Sequence, residues 1–422
     1  MLCLSRQVCQ EILKRPSIPG YVFDAEFWAL SPSLKDTICP GGNMEYRKEP
    51  AFINRQEEMG YLQDWIEQRP EQILFFYGPK SSGKTTLIYK FVENYLSDEN
   101  LFSVKLFNLR EVLLVSYEDF LQRFFQVEDA QEKDTTQTRQ YNLRVFTLTV
   151  QTQQKIKDRQ LDPFDVMKAE LKDLNARGIQ PIIIIDELQA LDFIYFNSQQ
   201  ELIKELINFF VAMTKESHLC HVLLSSSDGY FIQKLYNDSK LKKTSKLFEV
   251  DYLPKEDIVY WLNNLDKESN IREFTLTAQQ IEYLWEHFGG SIWEISNVLG
   301  QLLRVCREGQ VPDPKMQEIV ERYMVQAKSY FKEYAGLDTS KTELLTEIHH
   351  HIQDKGVVEE LDLKRLLDQG HYENRQAVQD ELNNLVRNNF LYYNPTLAQY
   401  KLQGKSMEIG LMRYVHEVRP QE

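Results

Sequence analysis

Several kinds of chemistry are missing from this chain at the level of composition. Its five cysteines (Cys3, Cys9, Cys39, Cys220, Cys306) are scattered through 422 residues with no C-x-x-C and no Cys/His metal spacing. That pattern fits a reducing compartment and argues against a disulfide framework. No apolar run approaches the roughly 20 residues needed to cross a bilayer. Between Arg6 and Lys14 there are too few apolar residues for a secretory signal, so a cytoplasmic protein without membrane contact is expected. Basic charge is short as well: 49 Lys and Arg face 63 Asp and Glu, a net charge of −14. The surface as a whole is therefore unsuited to non-specific nucleic-acid binding, and only a local basic groove remains open. The triplet His349-His350-His351 falls in a helical pattern, where neighbours diverge by about 100°, so it reads as a helix face rather than a metal site.

What is present is concentrated at Phe75-Phe76-Tyr77-Gly78-Pro79-Lys80-Ser81-Ser82-Gly83-Lys84-Thr85-Thr86, a complete G-x-x-x-x-G-K-[ST] phosphate loop. The apolar run from Ile73 to Tyr77 precedes it and an amphipathic segment from Leu87 to Tyr95 follows, giving the strand–loop–helix context the motif requires. Glycine lets the backbone wrap closely around phosphate oxygens while N–H groups at the helix start point at the anion. Residues Gly78 to Thr86 are thus the expected cradle of a nucleoside triphosphate. Lys84 is expected on the β- and γ-phosphates, and the Thr85 hydroxyl on Mg²⁺.

The length suggests two or three domains. Residues 1–49 read as an N-terminal extension with a short helix from Leu4 to Lys14, then broken by prolines and Gly41-Gly42. Residues 50–253 alternate strand and helix, ending with a strand over Phe248 to Tyr252, and predict a doubly wound α/β core with a parallel sheet. Residues 128–160, rich in Gln, Thr, Asp and Lys, read as an insertion, either a hairpin using the alternation from Asn142 to Val150 or a polar loop. Residues 254–338 look all-helical, a lid. Residues 339–422 give three helices (Glu343 to Gln353, Asp362 to Gln369, Asn374 to Asn388) and then a two-stranded hairpin, a winged-helix-like pattern.

Pro181-Ile182-Ile183-Ile184-Ile185-Asp186-Glu187 supplies the second half of the site. Four consecutive isoleucines are apolar on both faces, as in a central strand covered on both sides. The carboxylates at its carboxyl end face the crevice where ligands bind. Asp186 is expected to hold Mg²⁺ and Glu187 to polarise a water for attack on the γ-phosphate. Ser225 to Asp228 ends the next buried strand; Ser226, Ser227 and Asp228 are candidates to lie near the γ-phosphate, Ser227 foremost, and equally to cap the helix from Gly229. From Gly178 to Ile271 there is no arginine. Stabilisation of γ-phosphate charge then falls to a lysine (Lys234, Lys240, Lys242, Lys243 or Lys246) or to an arginine from the helical region (Arg272, Arg304 or Arg307), or hydrolysis is slow. Weak basal turnover is expected.

Further motifs surround these: Phe52-Ile53-Asn54-Arg55-x-x-Glu58, Asn108-Leu109-Arg110, Ser116-Tyr117-x-x-Phe120, Ile185-Asp186-Glu187-Leu188-Gln189, Asn208-Phe209-Phe210-Val211, Thr214-Lys215-Glu216-x-His218-Leu219-x-His221-Val222, Ser227-Asp228 and Phe288-Gly289-Gly290. Together they resemble the archaeal-type P-loop ATPases, relatives of the AAA+ and STAND ATPases, over roughly residues 50–305. The resemblance implies a P-loop NTPase core, a helical lid and often a C-terminal winged helix. It implies ATP as ligand, Lys84, Thr85, Asp186 and Glu187 as phosphate, Mg²⁺ and acidic residues, and Asn54 and Arg55 beside the adenine. Gly289-Gly290 matches a lid turn, but Ser291-Ile292-Trp293 follows where a proline often stands.

Three functions compete. One is a nucleotide-controlled switch that alters self-assembly or partner binding. Another is an ATPase in DNA transactions that uses the winged-helix segment. The last is a non-hydrolysing nucleotide scaffold. From Ser340 to Glu422 ten Lys/Arg stand against thirteen Asp/Glu, a poor balance for a phosphate-binding surface. Tyr392, Tyr393 and Tyr400 are base-stacking aromatics, core or a protein-contact patch. Glu187 argues against the scaffold, which leaves the switch favoured.

Overall fold

The computed structural model of the protein describes residues 46–111, 114–127, 146–157, 161–192, 194–195, 201–238 and 241–419, all within one compact unit. The expected helix from Leu4 to Lys14, three cysteines (Cys3, Cys9, Cys39) and the polar stretch 128–145 lie outside the described residues.

Among the described residues nine strands follow one another: β1 (Ile73–Tyr77), β2 (Phe102–Asn108), β3 (Phe125–Val127), β4 (Phe146–Leu148), β5 (Gln180–Asp186), β6 (His221–Ser226), β7 (Ser245–Glu249), β8 (Leu391–Asn394) and β9 (Gln399–Leu402). Five of them form a fully parallel sheet ordered β2-β5-β6-β1-β7. The isoleucine run in β5 is fully buried. Ile183 and Ile185 enter the core on one face, with Phe210 and Leu206, while Ile182 and Ile184 enter the core on the other, with Phe91 and Leu87. Each buried isoleucine contributes about 1.5–3 kcal/mol, so a strand apolar on both faces is stable only between two helical layers. The order also puts β6 between β1 and β5, so the three loops at their carboxyl ends share one edge.

The last sheet strand is Ser245–Glu249, not Phe248 to Tyr252; beyond it the chain keeps one further bond to β1, Val250 N–H to Tyr77 O at 2.7 Å, then turns away. Within the segment read as an insertion, the described residues hold β4, which pairs in parallel with β3 just before the segment, and a helix over Val150–Lys157. Phe125 of β3 and Phe146 of β4 are buried against the main core, and that burial overrides the polar character of the neighbouring sequence.

The lid consists of helices Lys255–Asn263, Leu265–Glu268, Ala278–Phe288, Ile292–Leu302 and Asp313–Ala335. Thr277 and Gln280 start the third with reciprocal cap bonds. The long helix Asp313–Ala335 serves two cores: Met316, Ile319 and Val320 pack in the lid, Phe331 and Ala335 in the carboxyl-terminal region. That region has helices Thr339–Lys355, Lys364–Asp368 and Arg375–Arg387, the antiparallel hairpin β8–β9, and a final helix Lys405–Val418 that the sequence reading did not include. The final helix runs against Asp313–Ala335 so closely that a Cβ on Gly410 would lie 2.7 Å from Ala327 Cβ. Tyr392, Tyr393 and Tyr400 are 2%, 3% and 0% exposed, so they are core and offer no stacking face. In the histidine triplet His349 is buried and His350 exposed, on diverging sides of one helix. Among the described residues no helix is long and apolar enough to cross a membrane.

Candidate functional site

The phosphate loop leaves β1 at Gly78 and enters the helix Lys84–Tyr95. Gly78 is obligatory for space, since a Cβ there would meet Val250 O at 2.1 Å. Gly83 (φ +93°) and Ser81 (φ +64°) turn the chain through the left-handed region. No side chain caps the helix at Gly83, so its first-turn N–H groups meet no capping carboxylate or hydroxyl. Lys84 is buried, with its Nζ donating to Gly78 O (3.0 Å) and Pro79 O (2.8 Å). Burial pushes its pKa down to about 8, against the opposing pull of Glu187 and Asp186. The Ser82 hydroxyl is buried without a protein partner.

Thr85 and Asp186, 101 positions apart, meet directly: Thr85 Oγ1 donates to Asp186 Oδ2 at 2.6 Å. The other oxygen, Oδ1, accepts the Glu187 N–H at 3.0 Å. Glu187 sits at φ +59°, a left-handed turn that carries its carboxylate off the strand's end. It is buried, and burial raises its pKa, opposed chiefly by Arg110. Arg110 NH2 lies 2.7 Å from Glu187 Oε1, and the Gln189 amide donates to Oε2. Gln189 Oε1 in turn accepts from Ser226 Oγ at 2.7 Å. A polar chain therefore runs from Arg110 through Glu187 and Gln189 to the end of β6.

Of the three candidates after β6, Ser226 joins this chain and Asp228 caps the following helix, accepting Phe231 N–H at 2.9 Å. Ser227 enters none of these contacts. Lys234 reaches Asp192 at 3.6 Å, and Arg272, Arg304 and Arg307 are exposed on the lid. The arginines at the site are two others. Arg110 was visible inside Asn108-Leu109-Arg110 but received no role; the register of β2 on β5, Asn108 opposite Asp186, is what carries it to Glu187. Arg55 is buried, its guanidinium bound to Ser82 O (2.6 Å), Asp251 O (2.8 Å) and Glu58 Oε1 (2.5 Å), so it pins the loop's backbone. Exposed Asn54 donates to both Asp257 oxygens, 2.9 and 3.0 Å, on the first lid helix. Thr86 follows Thr85 on the loop's helix and is exposed.

Lys80 is gripped through its peptide groups: its N–H donates to Gln403 Oε1 (3.0 Å) and its carbonyl accepts from Tyr252 OH (2.9 Å). Gly290 of the expected lid turn packs on Leu253, where a Cβ would lie 1.9 Å from Leu253 O. Glu294, four residues on, is half-buried and accepts from Ser406 Oγ at 2.5 Å.

The arrangement offers a backbone cradle, a buried cation, a hydroxyl–carboxylate pair and a second carboxylate at one sheet edge. The chain is similar to known proteins in the same regions. Residues 52–298 match the model of an ATPase domain found predominantly in Archaea. An ATP-binding protein of Methanocaldococcus jannaschii is 35% identical over 253 residues, covering 59% of this chain and 67% of that protein. Another from the same organism is 29% identical over 369 residues, 84% of this chain and 95% of its own length. In fold, a Walker-type ATPase of Pyrococcus abyssi superposes with a TM-score of 0.57 at 17% identity, covering 86% of this chain and 96% of that one. With the matching domain spanning more than half of the residues and enclosing both the loop and the acidic pair, this chain belongs to the archaeal-type P-loop ATPase family.

Proposed function

We propose that this protein binds ATP with Mg²⁺, hydrolyses it slowly, and uses the nucleotide state to control self-assembly or the binding of a protein partner. The observation that carries the reading is the 2.6 Å contact between Thr85 Oγ1 and Asp186 Oδ2, beside Lys84 and Glu187. A hydroxyl and a carboxylate in that juxtaposition are hard oxygen donors of the kind Mg²⁺ takes beside phosphates and water. The unpartnered Ser82 hydroxyl and the uncapped helix start suit phosphate oxygens. Thr85 and Asp186 would hold the ion, which when bound neutralises charge on the β- and γ-phosphates. Lys84 would give up its contacts with Gly78 O and Pro79 O for phosphate. Glu187, its proton affinity raised by burial, would accept a proton from the attacking water. Arg110 holds that carboxylate in an ion pair, which favours slow turnover. The names of the M. jannaschii relatives as ATP-binding proteins support the choice of nucleotide.

We read residues 339–402 as winged-helix-like, three helices and a hairpin, serving protein contact. In Arg375–Arg387, Arg375 is paired with Glu360 (3.2 Å), and the hairpin tyrosines are internal, so no specific observation favours DNA. Purified wild type and Glu187→Gln, measured for ATP hydrolysis and for molar mass with and without ATP-Mg²⁺, test the reading. Loss of hydrolysis by at least about a hundredfold in the variant, with a nucleotide-dependent change of mass or partner binding, is expected. Turnover of tens per second from wild type alone, or none in either protein, would refute it. A parallel run with duplex DNA checks the discarded alternative.

A further inference from the structure

The hairpin β8–β9 sits where the nucleotide is expected. In a parallel sheet ligands bind at the carboxyl ends of the strands, and here the hairpin is seated on the carboxyl ends of β1 and β7. Glu249, the last residue of β7, pairs in register with Tyr77, the last residue of β1. Glu249 accepts from Tyr392 OH and from Asn394 Nδ2, each at 2.8 Å. Tyr77 OH meets Thr396 Oγ1 at 2.8 Å. Just beyond β9, Gln403 takes the Lys80 N–H of the phosphate loop itself, while its own amide is oriented by Leu391 O (3.2 Å). The seat is tight: a Cβ on Gly229, at the start of the helix after β6, would lie 1.9 Å from Tyr393 O.

Backbone N–H groups of such a loop are its phosphate donors. One of them is committed to a side chain some 323 positions away. The same Lys80 peptide is held on its other side by Tyr252, which lies in the connection to the lid. Directly after Gln403, Gly404 (φ +91°) turns the chain into the last helix, whose Ser406 binds Glu294 of the lid. Core, lid and carboxyl-terminal helices therefore meet around one peptide group of the phosphate loop.

We propose that the β8–β9 hairpin is a latch on the phosphate loop, released when a nucleoside triphosphate takes the Lys80 amide from Gln403. The proposal rests on the ATP-binding reading above and adds the element that moves and the bonds that hold it. By linkage, whatever ATP does to the hairpin, loss of the hairpin contact does to ATP affinity, with opposite sign.

The test pairs hydrogen exchange over residues 391–404 with nucleotide affinity, in full-length wild type, Gln403→Leu, Tyr392→Phe and Thr396→Val. Thr396 is exposed, so its variant folds irrespective of the others. With Mg²⁺ and an ATP analogue that has a non-hydrolysable β–γ bridge, the hairpin of wild type is expected to lose protection; ADP has the smaller effect. The variants are expected to bind the analogue about five- to tenfold more tightly and to show raised hairpin exchange before it is added. Weaker binding in the variants would mean that the hairpin props the loop, and would overturn the latch. Tight binding by wild type with hairpin protection unchanged overturns the latch alone. A wild type that binds neither nucleotide overturns the ATP-binding reading together with it.

Discussion

ATP binding to this protein is expected to draw protons out of solution, in an amount set by Lys84. Lys84 is 6% exposed, and burial holds its pKa at about 8, even with Glu187 and Asp186 acting in the other direction. At about pH 8 roughly half of the molecules then carry a neutral Lys84, and at about pH 7 roughly a tenth. Phosphate oxygens placed against Nζ favour the charged form and restore the missing proton. Uptake should therefore be about 0.5 proton per ATP near pH 8 and about 0.1 near pH 7. Titration calorimetry in two buffers of different ionisation enthalpy reads this number directly from the difference in apparent heat. Lys84→Arg keeps its charge throughout, so any binding it retains should show no uptake. Net proton release near pH 8, or the same uptake in the arginine variant, would show that Lys84 is not the group that meets the phosphates.

Three more outcomes follow from the same geometry. Glu187 has a raised pKa from burial; its stabilising, protonated state is fully present below the unfolded carboxylate pKa and is lost as pH rises through the folded value. Glu187→Gln should accordingly raise Tm by a few degrees above neutral pH, the gap closing in acid; a constant gap or a lowered Tm contradicts this. Arg110→Gln removes an ion pair worth about 1 kcal/mol, discounted because Arg110 is half-exposed. Since Arg110 opposes the upward shift of Glu187, the acid limb of the pH–rate profile should move to higher pH, and an unmoved limb would detach Glu187 from proton transfer. Arg55→Ala strands Ser82 O, Asp251 O and Glu58 and should cost about 2–4 kcal/mol in denaturant unfolding. Arg55→Lys should recover little of it, because one ammonium cannot reproduce the fork; full recovery would refute the pin.

Local signals were the ones legible in the sequence. The strand–loop–helix at Ile73 to Tyr95 is written in contiguous residues, and the isoleucine strand announces burial on both faces without reference to any partner. What escaped depends on partners distant in sequence. Arg110 becomes a site residue only through the register of β2 on β5, and Ser226, at the end of β6 beside β5, reaches Glu187 only through Gln189. The helix Lys405–Val418 buries Ser406 and Gly410 beside Leu411, Tyr414 and Val415. Two of these five buried positions are thus not apolar, Gly410 because of the close approach to Ala327 and Ser406 because it bonds Glu294, and the periodic apolar signal is weakened by the very contacts that hold the helix.

The segment before β1 shows why the resemblance located Asn54 and Arg55 without revealing what they do. Both sit in the left-handed region, at φ +53° and +66°, a pair of non-glycine residues that costs roughly 1–3 kcal/mol apiece unless surrounding contacts impose it. The contacts come from two directions. Arg55 is fixed by Ser82 and Asp251, which belong to the phosphate loop and to the chain leaving β7; Asn54 is fixed by Asp257, on the first lid helix. Adjacent residues thus join the lid to the backbone of the loop through one strained turn. A rotation of helix Lys255–Asn263 that broke the Asn54–Asp257 bonds would remove half of the support for that turn and leave Arg55 to hold it alone. Lid position and loop geometry are therefore coupled through the amino-terminal side as well as through Tyr252 and Gln403, and a change in phosphate occupancy has two routes by which to reach the lid.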